Sequence, residues 1–309
     1  MEARTVDTLF LPFYAIVIVL GIFGNSLFIT VVRKRRSMQT VINFLLTNVA
    51  VSDIISLVLC VPGVILSFSF FEHPSGSIGN FLCKFVTKQQ IAGISLLVSG
   101  QTLTIISVER HNALLRPMDS RFKLNRRRVK IVICFTWGFS IVIVTPLFIT
   151  ERYNDELQTC FPEWDENIAL AYWVCLATMV AISLVILFFC YFRILKGIYL
   201  KKIIQPNEGN ASDQDTQDKR KIIKLLLTVT GLFLVCFLPF AVVNAIFDIS
   251  MHNALSRVTY FLVYTSCCVN PVVYIFQSAN YRAGLKDLWN RRSVHQHELS
   301  IEARVGIEK

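Results

Sequence analysis

Seven long apolar runs constrain the fold of this 309-residue chain more than any other feature. They lie at about 9–32, 41–68, 85–108, 129–149, 168–192, 222–247 and 258–277. About 20 apolar residues are enough for a helix to cross the hydrocarbon core of a bilayer. Only helices and closed barrels satisfy the backbone polar groups there, and the runs lack the alternation of barrel strands. The sequence therefore predicts an all-α bundle of seven transmembrane helices.

The composition agrees with a membrane protein and argues against several other classes. Hydrophobic residues make up 54% of the chain and charged residues 17%, with a mean hydropathy of +0.54. These values do not fit a soluble enzyme, a disordered chain or a disulfide-rich secreted domain. The nine cysteines and five histidines are scattered without the spacing of a zinc site, so we expect no metal site and no required cofactor.

The basic residues predict the orientation of the bundle. Of the 31 Lys and Arg, 25 lie on one face, in 33–36, 116–130, 193–224 and the tail after 277. The segments of the other face hold five basic residues and ten acids. By the positive-inside rule the N-terminus is outside and the C-terminus is cytoplasmic. The net charge of +10 then reflects topology and contact with anionic lipid, not binding of nucleic acid.

The predicted organisation has three parts. Residues 1–8 are expected to form a short extracellular N-terminus, too short for a large binding domain, and residues 9–277 the seven-helix transmembrane domain. Residues 278–309 are expected to form a cytoplasmic tail. In it, Tyr281, Leu285 and Leu288 share one face of a short helix that has basic residues around it. This pattern predicts an amphipathic helix at the membrane interface.

A polar side chain inside a span is expected to have polar partners or a function, because a charge at the bilayer centre costs ~2.5–3.5 kcal/mol on insertion scales. Asp53 is the carboxylate deep in the second run. Amide and hydroxyl groups that could meet it come from other spans: Asn25, Ser99, Ser266 and Asn270. Such a set of oxygens suits a hard cation, so we expect a Na⁺ site here. A plain hydrogen-bonding role between helices is the alternative.

Charged residues also end the third run, as Glu109-Arg110-His111. The neighbouring carboxylate can hold the guanidinium by a charge-assisted bond that can later be broken. The alternative is an arginine that only extends to the interface from a helix end. Asn270-Pro271 and Pro239 predict kinks in the seventh and sixth helices.

Together these motifs resemble those of the rhodopsin-like (class A) G-protein-coupled receptors, over about residues 10–290. The motifs occur in the expected order, one or more on most of the spans: Gly24-Asn25, Ala50-Val51-Ser52-Asp53, Glu109-Arg110-His111, Trp137, Cys236-Phe237-Leu238-Pro239 and Asn270-Pro271-Val272-Val273-Tyr274. The resemblance implies a plasma-membrane receptor, not an enzyme, with an outward-facing ligand pocket and a heterotrimeric G protein as cytoplasmic partner.

The resemblance also implies roles for individual residues. Cys83 and Cys160 match the extracellular disulfide of the family. Met118 matches the loop residue that packs on the G protein. The coupling and switch residues that the family implies are Glu109, Arg110, Tyr191, Phe237, Pro239 and Tyr274.

The sequence departs from the family pattern at several positions. His111 replaces a tyrosine, Phe237 a tryptophan, and Ser183 the proline of the fifth helix. Lys219 stands where many members place an acid that pairs with Arg110, so we expect a weak inactive-state lock.

The spacing within the third span also departs from the family. Cys83 and Arg110 are 27 residues apart, about two more than the family norm, which predicts a bulge between Gln90 and Thr102. Counted from the disulfide, Gln90 lines the pocket; counted from Arg110, Ala92 does. The same uncertainty in counting makes Ser95 the alternative to Ser99 as the ion ligand.

Two ligand classes are disfavoured by what the spans lack. The seventh run has no lysine for a retinal Schiff base, and Tyr264 occupies the matching place. The third run has no acid to bind a small amine. The stretches around Cys83–Gln90 and Cys160–Trp164 resemble neuropeptide Y and Arg-Phe-amide receptors.

That likeness implies a short basic or amidated peptide. The ligand residues expected from it are Gln90, Asp248, Glu163 and Tyr264. A lipid or small-metabolite receptor is the first alternative, and a non-signalling transporter or intramembrane enzyme the second.

Overall fold

The computed structural model describes residues 2–68, 73–115, 124–156, 159–199, 213–246 and 254–290. Asp248 and Met118 lie outside these residues. Within them, seven helical segments are long and apolar enough to cross a membrane, which confirms the predicted bundle. We number these spans one to seven in chain order. Large apolar side chains such as Phe135 and Phe188 are 68% and 75% exposed on the bundle surface, where lipid would cover them.

The helices have the following bounds. They are Glu2–Lys34, Val41–Phe68, Gly76–Leu82 with Gln90–Leu115, Arg126–Thr150, Glu166–Tyr199, Asp213–Ile246 and Ala254–Gln277. The first helix begins at Glu2, so residues 2–8 are helical and continuous with the first span. The fourth span starts at a defined cap, because the Asn125 side chain accepts hydrogen bonds from the backbone of Arg127 and Arg128.

The third span is built differently from the prediction. It begins at Gly76, ahead of the apolar run at 85, and contains a π-helical turn at Cys83–Thr87. Gln89 then adopts a left-handed backbone with φ of 51°, and a regular helix runs unbroken from Gln90 to Leu115. The predicted bulge between Gln90 and Thr102 is therefore wrong. The irregular backbone lies before Gln90, where wider helical turns take up extra residues.

A two-stranded hairpin covers one end of the bundle, which we call the hairpin end. Strand β1 (Glu151–Asn154) pairs antiparallel with β2 (Thr159–Pro162). A disulfide between Cys83 and Cys160 ties β2 to the start of the third span, as the family resemblance implied. We call the opposite end of the bundle the Arg110 end.

A helix at 279–290 follows the seventh span and confirms the predicted amphipathic segment. Its apolar face packs against the core of the bundle through Tyr281, Leu285 and Leu288. Tyr281 is completely buried beside Phe28 and Tyr274, and this burial raises its pKa to about 12.

Candidate functional site

Asp53 is the centre of a polar layer in the middle of the bundle. Its side chain is 3% exposed. Asn270 donates a hydrogen bond to one carboxylate oxygen at 2.8 Å, and the Ser99 hydroxyl approaches the other at 3.4 Å. Three spans therefore meet at one carboxylate. Ser95 instead bonds to the Ile91 carbonyl, so Ser99 is the serine that the fold brings to Asp53.

Asn25 completes this layer from the first span. Pro271 has no backbone N–H, so the Cys267 carbonyl one turn earlier loses its helical partner. The Asn25 amide donates to that carbonyl at 2.9 Å, while its own side-chain oxygen is buried without a hydrogen bond among the described residues. Gly24 permits the approach, since a side chain there would collide with the Pro271 ring.

Of the predicted partners, Ser99 and Asn270 contact Asp53 directly, whereas Asn25 contacts the Cys267 carbonyl of the seventh span. Ser266 is buried, but its hydroxyl donates to the Val263 carbonyl at 2.6 Å and not to Asp53. The side-chain oxygens of Asn25, Asp53 and Ser99 remain chemically suited to a hard cation.

Trp137 anchors the fourth span through a second polar chain. Its indole donates to the Asn48 side chain at 3.0 Å, and Asn48 donates to the Thr102 hydroxyl at 2.9 Å. Sequence reasoning identified Trp137 but missed Asn48 and Thr102. Their only signal was that polar residues stand in apolar runs, which invites a search for partners.

The hairpin end holds the acidic groups expected to face a ligand. Glu151, at the start of β1, is almost fully buried and lies 3.8 Å from the Lys88 ammonium. Glu163 is 75% exposed and lies 3.9 Å from Arg152 on the paired strand. His73 stacks on Tyr153 beside the disulfide, whose sulfurs are bonded to each other and offer no thiolate to a metal.

Tyr264 lies beneath this end and contacts a residue that sequence reasoning missed. Its hydroxyl donates to the side-chain oxygen of Gln89, and both side chains are buried. The expected ligand residue Gln90 is also buried, at 9% exposure, and begins the regular helix. The two extra residues between Cys83 and Arg110 were the available signal for Gln89. The prediction placed them between Gln90 and Thr102, which is too far along the chain.

At the Arg110 end, the guanidinium lies 3.5 Å from the carboxylate of its neighbour Glu109. Tyr191 of the fifth span shares a buried 3.0 Å hydrogen bond with Thr230 of the sixth. Sequence reasoning named Tyr191 and missed Thr230. Of the departures from the family, Lys219 belongs to a described helix, but its side chain is outside the described part of the structure.

The remaining switch residues lie in aromatic contacts. Phe237, two residues before Pro239, stacks on Phe233 with ring centroids 5.4 Å apart. Tyr274 is buried, with its ring 4.4 Å from that of Phe28. The second contact joins the first span to the seventh, and the first stacks two rings one turn apart on the sixth span, which contains Pro239.

Comparison with known proteins agrees with this geometry. Residues 24–274 match the family described as 7 transmembrane receptor (rhodopsin family). Neuropeptide Y receptor type 2 of Mus musculus is 32% identical over 289 residues, covering 87% of this chain and 73% of that receptor. Neuropeptide Y receptor type 1 of Xenopus laevis is 27% identical, over 90% of this chain and 79% of that receptor.

A third relative is named as the receptor for a different peptide. The QRFP-like peptide receptor of Branchiostoma floridae is 26% identical over 292 residues, covering 89% of this chain and 76% of that receptor. Members of the matched family are signalling receptors rather than enzymes. The family match and the polar layer around Asp53 lead to one conclusion: this chain belongs to the rhodopsin family of seven-transmembrane receptors.

Proposed function

We propose that this chain is a multi-pass plasma-membrane receptor that binds a short basic or amidated neuropeptide and activates a heterotrimeric G protein. Its hairpin end faces outward and its Arg110 end faces the cytoplasm. The observation that carries the proposal is the acid-rich hairpin at one end of the bundle, followed directly in the chain by the exposed Glu163.

Charge supports a cationic ligand. The chain segments predicted to lie on the same side of the membrane as the hairpin contain ten acids and five basic residues. A surface of one sign raises the local concentration and the association rate of an oppositely charged ligand. Asp248 belongs to the same segments by sequence and remains a predicted anchor for a peptide arginine.

The relatives support a peptide ligand. Those reported above are named as receptors for neuropeptide Y and for QRFP-like peptides. Gln90 and Tyr264 are the further residues that we propose for the ligand pocket. Tyr264 and Gln89 are bonded to each other, so a peptide reaching them would act on both the third and seventh spans.

The Arg110 end supports the signalling half of the proposal. Arg110, Tyr191 and Tyr274 come from three spans, and each has its own partner: Glu109, Thr230 or Phe28. We propose that activation exchanges these contacts and opens a cytoplasmic cleft to the G protein, with Met118 packing on it. Phe237 and the Pro239 kink would carry the motion of the sixth span.

We also propose that Na⁺ binds at Asp53, with Ser99, Asn25, Ser266 and Asn270 as candidate ligands or supports. The buried Asn25 oxygen supports this role. Replacing Na⁺ with a large organic cation should raise agonist affinity in the wild type, and Asp53→Asn should remove that sodium effect. An unchanged sodium effect in Asp53→Asn would contradict the site, and Ser183→Ala is a matched control in the fifth span.

The proposed function is tested by G-protein activation in transfected cells, against amidated peptides, amines and lipids. The expected result is a response to an arginine-containing peptide, lost in Arg110→Ala at equal surface expression. Asp248→Ala should raise the half-maximal peptide concentration by about tenfold or more, since it removes one member of a charge pair. Asp155→Ala, which removes an exposed acid from the hairpin, is the control.

The alternatives would give different results. A response to lipids or small metabolites alone would contradict the peptide assignment and leave the receptor assignment intact. Equal effects of Asp155→Ala and Asp248→Ala would support diffuse attraction and contradict a specific anchor.

A further inference from the structure

Gln89 links three spans beneath the hairpin end of the bundle. Its side-chain oxygen accepts a hydrogen bond from the Tyr264 hydroxyl of the seventh span. Its side-chain nitrogen lies against Gly63 of the second span, where any side chain would collide with it. Gln89 is 4% exposed and Tyr264 is 1% exposed. The carboxamide of Gln89 therefore fills a buried space between Gly63 and Tyr264, which we call the carboxamide slot.

The backbone of Gln89 adopts a conformation that glutamine rarely takes. Its φ is 51°, and within the described part of the chain no other residue except glycine has a positive φ. A left-handed backbone is unfavourable for a residue with a Cβ atom and persists only where the surrounding contacts stabilise it. The bond with Tyr264 offsets part of this cost. The strain therefore favours departure of the Gln89 side chain once another group makes that bond.

The carboxamide slot suits a neutral primary amide better than a carboxylate. The Tyr264 hydroxyl donates to the carboxamide oxygen, and Gly63 leaves room for the nitrogen. The neighbouring cation Lys88 is already paired with Glu151 at 3.8 Å. An ionised carboxylate in this buried space would lose its hydration without gaining a cation of its own, which is costly. A neutral amide avoids that cost.

Aromatic rings pack around Tyr264. Its ring centroid lies 6.2 Å from that of Tyr14 and 6.4 Å from that of Tyr260. Tyr260 in turn contacts Phe240 of the sixth span, with ring centroids 5.0 Å apart. An apolar residue next to a bound carboxamide would therefore meet ring surfaces, which favour aromatic and aliphatic side chains.

We propose that Gln89 is an autoinhibitory occupant of the carboxamide slot, and that the terminal carboxamide of an amidated peptide displaces it. The incoming carboxamide accepts the hydrogen bond from Tyr264 that the Gln89 side chain gives up. Because only receptors with a vacant slot bind this group, occupation by Gln89 lowers the apparent affinity for the peptide. The displacement rests on the amidated ligand proposed above; the bond between Gln89 and Tyr264 does not.

The test measures equilibrium binding to the purified full-length receptor in lipid nanodiscs. The probes are two peptides of one sequence that end in Arg-Phe, one with a terminal carboxamide and one with a free carboxylate. Gln89→Asn keeps a residue type that tolerates the left-handed backbone, but its side chain is one methylene shorter and does not reach Tyr264. The amidated peptide should bind this variant about two- to tenfold more tightly than wild type, the range expected when one competing hydrogen bond is lost.

The free-acid peptide and two further variants make the result specific. The free acid should bind wild type more weakly than the amide and gain less than about twofold from Gln89→Asn, because a carboxylate does not enter the slot. Gln90→Asn makes the same change at the next buried glutamine and should give no gain. Tyr264→Phe removes the donor from both carboxamides, so Gln89→Asn should give no gain in that background. A gain in affinity cannot result from misfolding.

Thermal unfolding of the ligand-free receptor tests the resting contact separately. Gln89→Asn and Tyr264→Phe should each lower the unfolding midpoint. The double variant should lower it no further than the larger single effect, because both changes break the same bond. Additive effects would contradict a shared bond.

Two results would overturn the autoinhibitory role and leave the peptide receptor intact. Weaker binding of the amidated peptide by Gln89→Asn would make Gln89 a direct ligand contact. Equal gains for the two peptides would show that Gln89 obstructs the pocket without competing as a carboxamide. Failure of the amidated peptide to bind wild type or any variant would instead overturn the proposed peptide function, and the displacement with it.

Discussion

An ion pair lies at each end of the third span. The two pairs have similar distances and burial but connect different parts of the fold. At the hairpin end Lys88 lies 3.8 Å from Glu151, which belongs to strand β1. At the other end Arg110 lies 3.5 Å from Glu109, its neighbour in the same helix. The two carboxylates are 2% and 6% exposed, and the basic side chains 23% and 21%.

The difference lies in what each pair connects. Separating Lys88 from Glu151 requires the hairpin to move away from the third span, where the disulfide also holds it. Separating Arg110 from Glu109 requires only a side-chain rotation, because both residues belong to one helix. We infer that the hairpin end acts as a brace for the pocket, and the Arg110 end as a switch.

The largest expected effect is loss of the brace by Cys160→Ser. The disulfide joins residues 77 positions apart, and closing a loop of that size stabilises by about 4–5 kcal/mol in the chain-entropy treatment. We expect little properly folded receptor at the cell surface, measured by antibody labelling of an extracellular tag. Cys175→Ser changes an exposed free cysteine and should express normally. Normal expression of Cys160→Ser would contradict a bracing role.

The next effect is a loss of stability in Glu151→Gln. This change leaves the Lys88 charge without its partner, although its partial exposure lets water compensate in part. We expect the thermal unfolding midpoint of the purified receptor to fall by about 2–6 °C. Glu163→Gln, which breaks an exposed pair, should shift it by about 1 °C or less. A shift in basal signalling without a loss of stability would place Glu151 in the switch instead.

Glu109→Gln should give the converse result. Loss of the neighbouring charge releases Arg110, and a contribution of about 1 kcal/mol for a partly exposed pair corresponds to a rise in basal G-protein activation of about fivefold. The measurement is basal second-messenger signal at equal surface expression, with Glu151→Gln as the control. Basal signal equal to that of wild type would contradict the switch assignment.

The smallest expected effect concerns the bond between Tyr191 and Thr230. Thr230→Val preserves shape and removes the hydroxyl that holds Tyr191 to the sixth span. Because water can replace the bond, we expect a loss near the lower end of a typical net hydrogen-bond contribution, about 0.5 kcal/mol, and a rise in basal signal of about twofold. Thr228→Val, on the same helix and bonded to Gln277, should raise it less. Equal effects would mean that packing of the sixth span matters more than Tyr191.

The spans and the polar layer could be predicted from the sequence because both depend on local signals. A long apolar run must be helical in a bilayer, and a carboxylate inside one needs polar neighbours. Asp53, Ser99 and Asn270 accordingly meet in the structure. The bond from Asn25 to the Cys267 carbonyl follows the same logic, since Pro271 leaves that carbonyl without its helical donor.

The features that escaped prediction depend on contacts between distant segments. The left-handed backbone at Gln89 is associated with its bond to Tyr264 in the seventh span, and no local pattern near Gln89 reveals that partner. The start of the third span at Gly76 likewise lies outside its apolar run. Lys88 and Glu151 meet only because the disulfide and the hairpin set their distance.

The most direct test of the account is nucleotide exchange on a purified heterotrimeric G protein by the purified receptor in lipid nanodiscs. Two amidated peptides that differ only by arginine or citrulline would be compared, with Arg110→Ala as the inactive reference. We expect faster exchange with the arginine peptide, weaker activation with the citrulline peptide, and none in Arg110→Ala. Equal activation by both peptides, or activation by a lipid and by neither peptide, would contradict it.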